Sequence, residues 1–186
     1  MVWFTADLHL GHSNIIRYCG RPFASASEMD EEILSRVNER IKPEDELYFL
    51  GDFCLGGPKI ALSYRQRIRC KRIYFVLGNH DRVIRKIEDQ FVWVKEIAEI
   101  NIRQQPIVLC HYAMRVWHQS GRGAWQLYGH SHGKLASVEE SRSMDVGVDT
   151  NAFRPYSFVE LQSRFAVVGS SAETPANPQN SPSVSR

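Results

Sequence analysis

"MVWFTADLHLGHSN" (residues 1–14) runs a short apolar stretch, Val2 to Ala6, straight into Asp7, with His9 and His12 close behind. A run so short and so rich in branched and aromatic residues predicts a buried strand. In an extended segment Asp7 and His9 share one face while Leu8 points the other way, toward a core. Alone, the triplet reads better as the polar edge of a strand with histidines facing water. Recurrence decides the matter. "LYFLG" runs into Asp52, "IYFVLG" into Asn79, "IVLC" into His111, and "WQLYG" into His130 and His132. Each junction places a residue able to bind metal directly after a candidate strand. In open α/β sheets ligands bind outside the carboxyl ends of strands, so these junctions predict one site along one sheet edge.

Helices fall between the first strands. "SASEMDEEILSRVNERIKP" (residues 25–43) carries a helix start at Ser27 with Asp30 three positions on, an apolar stripe of Met29, Ile33, Val37 and Ile41, and a stop before Pro43. "GPKIALSYRQRIRCKR" (residues 57–72) offers a second helix with Pro58 near its first turn. The chain therefore alternates β and α in its first half and is β-rich afterwards, which predicts an α/β sandwich. Late in the chain, Asp145 and Asp149 alternate with Val146 and Val148. This stretch reads as a strand-end turn before a final short helix, and Asp149 is placed outside the site, although it could hold a ligand histidine.

The chain has 186 residues, a length that suits one domain. From residue 169 onward it is rich in Ser, Pro, Asn and Ala, so we expect a domain over 1–168 and a disordered tail over 169–186. With 23 basic and 21 acidic residues the net charge is +2, too balanced to advertise a nucleic-acid or membrane partner. No apolar run approaches the ~18–20 residues of a membrane span, and the N-terminal run lacks a basic region and a cleavage site. Cys19, Cys54, Cys70 and Cys110 lack CxxC spacing and read as reduced, partly buried thiols. A cytoplasmic protein is expected.

Asp7-x-His9, Gly51-Asp52, Gly78-Asn79-His80-Asp81, His111 and Gly129-His130-x-His132 together resemble the signature of the calcineurin-like metallophosphoesterases, in order and in strand context over residues 2–132. The extensions "DLHLGHSNII" and "LYGHSHG" look like a small bacterial and phage-type branch. The resemblance implies a four-layer α/β/β/α sandwich of two mixed sheets. It also implies two divalent metal ions. One would take Asp7, His9, Asp52 and His132, the other Asp52, Asn79, His111 and His130, with Asp52 bridging. A hydroxide between the metals would attack phosphorus, His80 would serve the leaving oxygen as proton donor or stabilise the transition state, and Asp81 would orient His80. Oxygen and imidazole donors without thiolate suit Mn, Fe or Zn, with Mn expected to serve in vitro. The implied substrates are phosphodiesters or phosphomonoesters, small or nucleotide-like.

The chain also departs from relatives. Serine/threonine protein phosphatases and symmetrical dinucleoside polyphosphate hydrolases extend Gly-Asp to Gly-Asp-x-Val-Asp-Arg-Gly. Here the stretch is Gly51-Asp52-Phe53-Cys54-Leu55-Gly56-Gly57, without that Arg, which disfavours both substrate classes. Two alternatives remain: a nuclease acting on DNA or RNA along Arg65, Arg67, Arg69, Lys71 and Arg72, and a non-catalytic binding module. For substrate contacts, His12 and Arg17 follow the first motif, with Arg17 or Arg21 as an anion contact; a solvated helix start capped by Ser13 or Asn14 explains them as well. In "MRVWHQSGRGAW" (residues 114–125), His118 and Arg122 are the candidates for a substrate rim, while Trp117 and Trp125 read equally as packing residues.

Overall fold

Each of the five apolar runs forms a strand. The computed structural model describes residues 1–136 and 142–170. In chain order its elements are β1 (Val2–Thr5), α1 (Ser13–Cys19), α2 (Ala26–Arg40), β2 (Glu46–Phe49), α3 (Pro58–Arg67), β3 (Arg72–Val76), β4 (Trp93–Lys95), β5 (Ile97–Ile102), β6 (Gln105–Cys110), β7 (Trp125–Tyr128), β8 (Ser143–Asp145), β9 (Tyr156–Ser157) and α4 (Phe158–Ser170). A five-stranded sheet has the order β4-β3-β2-β1-β9, and a four-stranded sheet the order β5-β6-β7-β8. Strands β1 to β4 are mutually parallel and β9 is antiparallel, so the first sheet is mixed. The second is mixed as well, with β5 antiparallel to an otherwise parallel set. This is the expected pair of mixed sheets layered with helices.

Register aligns the strand ends. Thr5 pairs with Phe49 and Phe49 with Phe75, so the chain leaves β1, β2 and β3 toward Asp7, Asp52 and Asn79 along one edge. Leu109 pairs with Leu127, which brings His111 and His130 to the matching edge of the second sheet. An isolated parallel bridge between Ala6 and Gly147 ties the two edges together.

Strands β1 to β3 are buried on both faces. Trp3, Leu47, Phe49, Ile73 and Phe75 face the helices, where the α2 stripe of Met29, Ile33, Val37 and Ile41 is buried as expected. Phe4, Tyr48, Leu50, Tyr74 and Val76 face the second sheet's Ala98, Ile107, Leu109, Trp125 and Leu127, and α4 adds Phe158, Leu161 and Phe165. Side chains of this kind contribute roughly 1.5–3 kcal/mol each on burial, and the two clusters hold the site's edges rigid.

Two helix starts differ from expectation. The α2 cap is Ser25, whose hydroxyl accepts from Glu28 N at 3.1 Å. Asp30 is turned inward instead, accepting from Gly11 N at 2.9 Å and from the Tyr64 hydroxyl at 2.6 Å. Helix α1 starts after His12 with no side-chain cap, so neither Ser13 nor Asn14 acts as one. The final helix α4 reaches Ser170, and residues 171–186 of the expected tail lie outside the described residues. Among the described residues no helix is long and apolar enough to cross a membrane, and the four cysteines are free.

Candidate metal centre

The ligand candidates are presented by sharp backbone turns. Asp7, His9, Asp52, His130 and His132 all adopt left-handed φ values, of 60°, 51°, 59°, 66° and 49°. Asp and His tolerate this region better than most residues, yet each instance costs roughly 1–3 kcal/mol and persists only where surroundings enforce it. The surroundings do so by hydrogen bonds across strand ends: Asp7 N donates to Gly51 O (2.9 Å), His9 N to Asp52 O (3.0 Å) and Gly129 N to His111 O (3.0 Å). Gly51 itself has φ 92°, and a Cβ there would meet His111 Nδ1 at 2.5 Å and Gly78 N at 2.6 Å. Only glycine fits that crossing.

Seven side chains converge on this edge. Asp7, His9 and His132 present donor atoms within 4.8 Å of one another, and so do Asp52, His111 and His130. Asp52 Oδ2 stands between the groups, 3.4 Å from His9 Nε2 and 3.5 Å from His111 Nε2. Asn79 Oδ1 lies 3.1 Å from His111 Nε2. His111 Nδ1 is 2.7 Å from Leu50 O, which can only accept, so Nδ1 carries a proton and Nε2 turns its lone pair to the site. His132 repeats the device, with Nδ1 2.7 Å from Asp149 Oδ2. His9 Nε2 is buried without a hydrogen-bond partner. Buried acceptors converging without donors between them fit a cation.

The electrostatics agree. Burial, the largest influence on Asp7, pushes its carboxyl up to about 7. Burial also opposes ionisation of Asp52, yet His111 and His9 outweigh it and hold that carboxyl down to about 2. Burial drives His9 down to about 3, so its ring is neutral and available as a ligand. For His132, burial is outweighed by Asp149 and Asp7, which raise its pKa. Burial thus opposes an ionised Asp7 with no cation facing it and keeps the His9 ring neutral, and a cation between them would relieve that cost.

Several neighbours take roles other than those expected. Asp81 does not orient His80. Fully buried, its carboxylate accepts from Asp52 N (2.6 Å), Gly78 N (2.7 Å) and Phe53 N (3.0 Å), pinning the two loops that carry Asp52 and Asn79. Among the described residues its hydrogen bonds run to these backbone donors and none to the His80 ring. Arg21 is no anion contact: its guanidinium is buried, donating to both Asp149 oxygens at 2.8 Å, to Asp7 O at 2.7 Å and to Leu8 O at 3.0 Å. Asp149 therefore belongs with the site, holding His132 from behind. The sequence carried a signal for it, since Val146-Gly147-Val148-Asp149 repeats the pattern of apolar residues ending at an acid.

His80 and His12 line the open side, their rings 5.4 Å and 5.5 Å from the His9 ring and 6.0 Å from each other. Three further expected substrate contacts have other neighbours. Arg17 is exposed in the last turn of α1, its guanidinium over Tyr18 at 5.4 Å. His118 pairs with Glu99 of β5 at 2.7 Å, and Arg122 sits in a 3₁₀ turn just before β7. For His118 and Arg122 the reason is topological: β6 and β7 are parallel, so their connection travels back down the sheet, away from His111. Trp117 and Trp125 are packing residues, the first donating to Ala124 O at 3.0 Å and the second buried in the core. In the basic stretch of α3 and beyond, Arg67 pairs with Glu31 (2.6 Å), Arg72 with Glu46 (3.0 Å), and Arg65 donates to backbone carbonyls.

Residues 2–159 match the family model described as the calcineurin-like phosphoesterase superfamily domain. The uncharacterized protein MJ1445 of Methanocaldococcus jannaschii is 28% identical over 163 residues, spanning 84% of this chain and 86% of its own length. The gene 66 protein of Mycobacterium phage D29 is 25% identical over 177 residues, spanning 80% of this chain and 87% of its own. Among solved structures, the protein of unknown function AQ665 from Aquifex aeolicus superposes with a TM-score of 0.69 at 22% identity, covering 88% of this chain and 98% of that one, a likeness of fold.

Proposed function

The chain belongs to the calcineurin-like phosphoesterase superfamily, and from that premise and the geometry of the site we propose that it hydrolyses small or nucleotide-like phosphoesters with the help of two divalent cations. One observation carries the reading: Asp52 Oδ2 lies 3.4 Å from His9 Nε2 and 3.5 Å from His111 Nε2, between two groups of converging acceptors. Asp7, His9, Asp52 and His132 would hold one ion, and Asp52, Asn79, His111 and His130 the other. Oxygen and imidazole donors suit Mn, Fe or Zn. Bound there, the pair supplies neutralisation of the phosphate's charge and a water acidified toward neutral pH.

The remaining work falls to the chain's own side chains. His80 is exposed, adjoins ligand Asn79 and faces open space beside His9, so it donates the proton to the leaving oxygen. His12 faces the same space and orients that departing group. Asp81 fixes the loops of Asp52 and Asn79, which sets the spacing of the two groups. The nuclease alternative gains no support from Arg65, Arg67 and Arg72, which are engaged within the fold. Four free thiols favour a reducing, cytoplasmic setting.

The test is hydrolysis of p-nitrophenyl phosphate and bis(p-nitrophenyl) phosphate by metal-stripped protein, with Mn²⁺, Zn²⁺, Fe²⁺ or Mg²⁺ restored singly. Turnover that appears only with metal supports the proposal. Folded protein that binds two ions and turns over neither ester with any metal would instead be a binding module.

A further inference from the structure

The two ends of the site differ in what lies beyond them. Past His9 stand His80 and His12, their rings 5.4 Å and 5.5 Å from its own. Past His111 and His130 stands Tyr112, its ring 5.0 Å and 4.8 Å from theirs. Tyr112 opens a cleft of about 600 Å³ floored by Leu77, Ile97 and Cys110 and walled by Arg82 and Arg85. That volume falls within the ~300–1,000 Å³ of small-molecule sites. Tyr112 is 46% exposed and Ile97 53% exposed, large apolar surfaces facing a void beside a catalytic centre. Arg85 is bound to Glu96 at 3.1 Å, whereas Arg82 makes no hydrogen bond or ion pair among the described residues.

Resting on the phosphoesterase reading, we infer that this cleft holds the organic group that stays on phosphorus, and that the substrate is a phosphodiester whose retained group is aromatic, of nucleoside type. The assignment follows from direction. In-line displacement sends the leaving group out beside the proton donor, and His80 stands at the far end from Tyr112. A group seated against Tyr112 therefore remains attached to the phosphate after cleavage. A monoester would leave the cleft empty. A flat ring stacks on Tyr112 against the floor of Ile97 and Leu77, and the free guanidinium of Arg82 donates to oxygens on the same group. Tyr112 and Arg82 are thus specificity residues, contributing to recognition of what is kept.

The test compares two diesters with one leaving group, thymidine 5′-monophosphate p-nitrophenyl ester and methyl p-nitrophenyl phosphate, on metal-loaded enzyme. The wild type should prefer the thymidine ester in kcat/KM by about tenfold, the scale of one base–aromatic stack. In Tyr112→Ala that preference should collapse toward unity, Tyr112→Phe should restore it, and Arg82→Ala should reduce it. Calorimetry should find thymidine 5′-monophosphate bound about tenfold more weakly by Tyr112→Ala than by the wild type. Equal rates on the two esters, or a preference that Tyr112→Ala leaves intact, would overturn the inference while leaving the phosphoesterase standing. No metal-dependent turnover of either ester would overturn the phosphoesterase reading, and this inference with it.

Discussion

At the residue scale, each ligand candidate is a compromise between local strain and converging charge. Asp7 is fully buried, and its ionised form is costly unless a cation faces it. Asp7→Asn keeps the shape and removes the charge, so it should leave the metal-free melting temperature within a few degrees of wild type while abolishing metal-restored turnover. A variant with full metal-dependent activity would refute its role as a ligand. His80→Ala should retain bound metal and slow kcat by roughly 10²–10⁴-fold, the usual share of proton transfer; loss of metal would show that the ring is a ligand. Asp149→Asn should weaken metal affinity by about 10–100-fold, as expected for the partner of a ligand imidazole, and a metal titration with unchanged midpoint would contradict that. The ligand candidates were legible because each lies at or just past the end of an apolar run. The true partners of Asp81 and Asp149 were not, because Asp52 N lies 29 residues from Asp81 and His132 lies 17 residues from Asp149, and sequence neighbours such as His80 drew the assignment instead.

At the element scale, α2 does two jobs. Its stripe fills the core beside the first sheet, and Asp30 on its inner side clamps the turn that precedes α1 through Gly11 N and Tyr64. Ile33 is fully buried at the centre of that stripe, so Ile33→Ala should cost about 2–5 kcal/mol, read as a lower urea midpoint with unchanged slope. A loss under 1 kcal/mol would mean the helix packs more loosely than its burial indicates. The stripe was readable from its helical spacing. The cap was not, because Ser25 and Ser27 both suit the position and the choice depends on Asp30 being drawn to Gly11 from another part of the chain. His118 and Arg122 were misplaced for a similar reason: closeness to His111 along the chain says nothing about which way a crossover loop returns.

At the scale of the whole molecule, the fold brings the ends of two sheets to one line. A single residue, Glu96, separates β4 of the first sheet from β5 of the second, and no composition shift marks that division. The α/β alternation could be read directly, while the split into two sheets came only from the family resemblance. Closing the edges together leaves Asp52 between donors from both sheets, His9 from the first and His111 from the second. Cations bound there would fasten the sheets to each other, and metal at a hundred times its Kd should raise stability by about 2.7 kcal/mol.

The claim on which everything else rests is that Asp52 serves two ions at once. Metal content per chain, measured by elemental mass spectrometry on wild type and Asp52→Ala after loading with Mn²⁺ and removal of excess, addresses it most directly. The account predicts two ions in the wild type and at most one in the variant, with turnover lost. Two ions retained by Asp52→Ala, or a wild type that saturates at one, would contradict it.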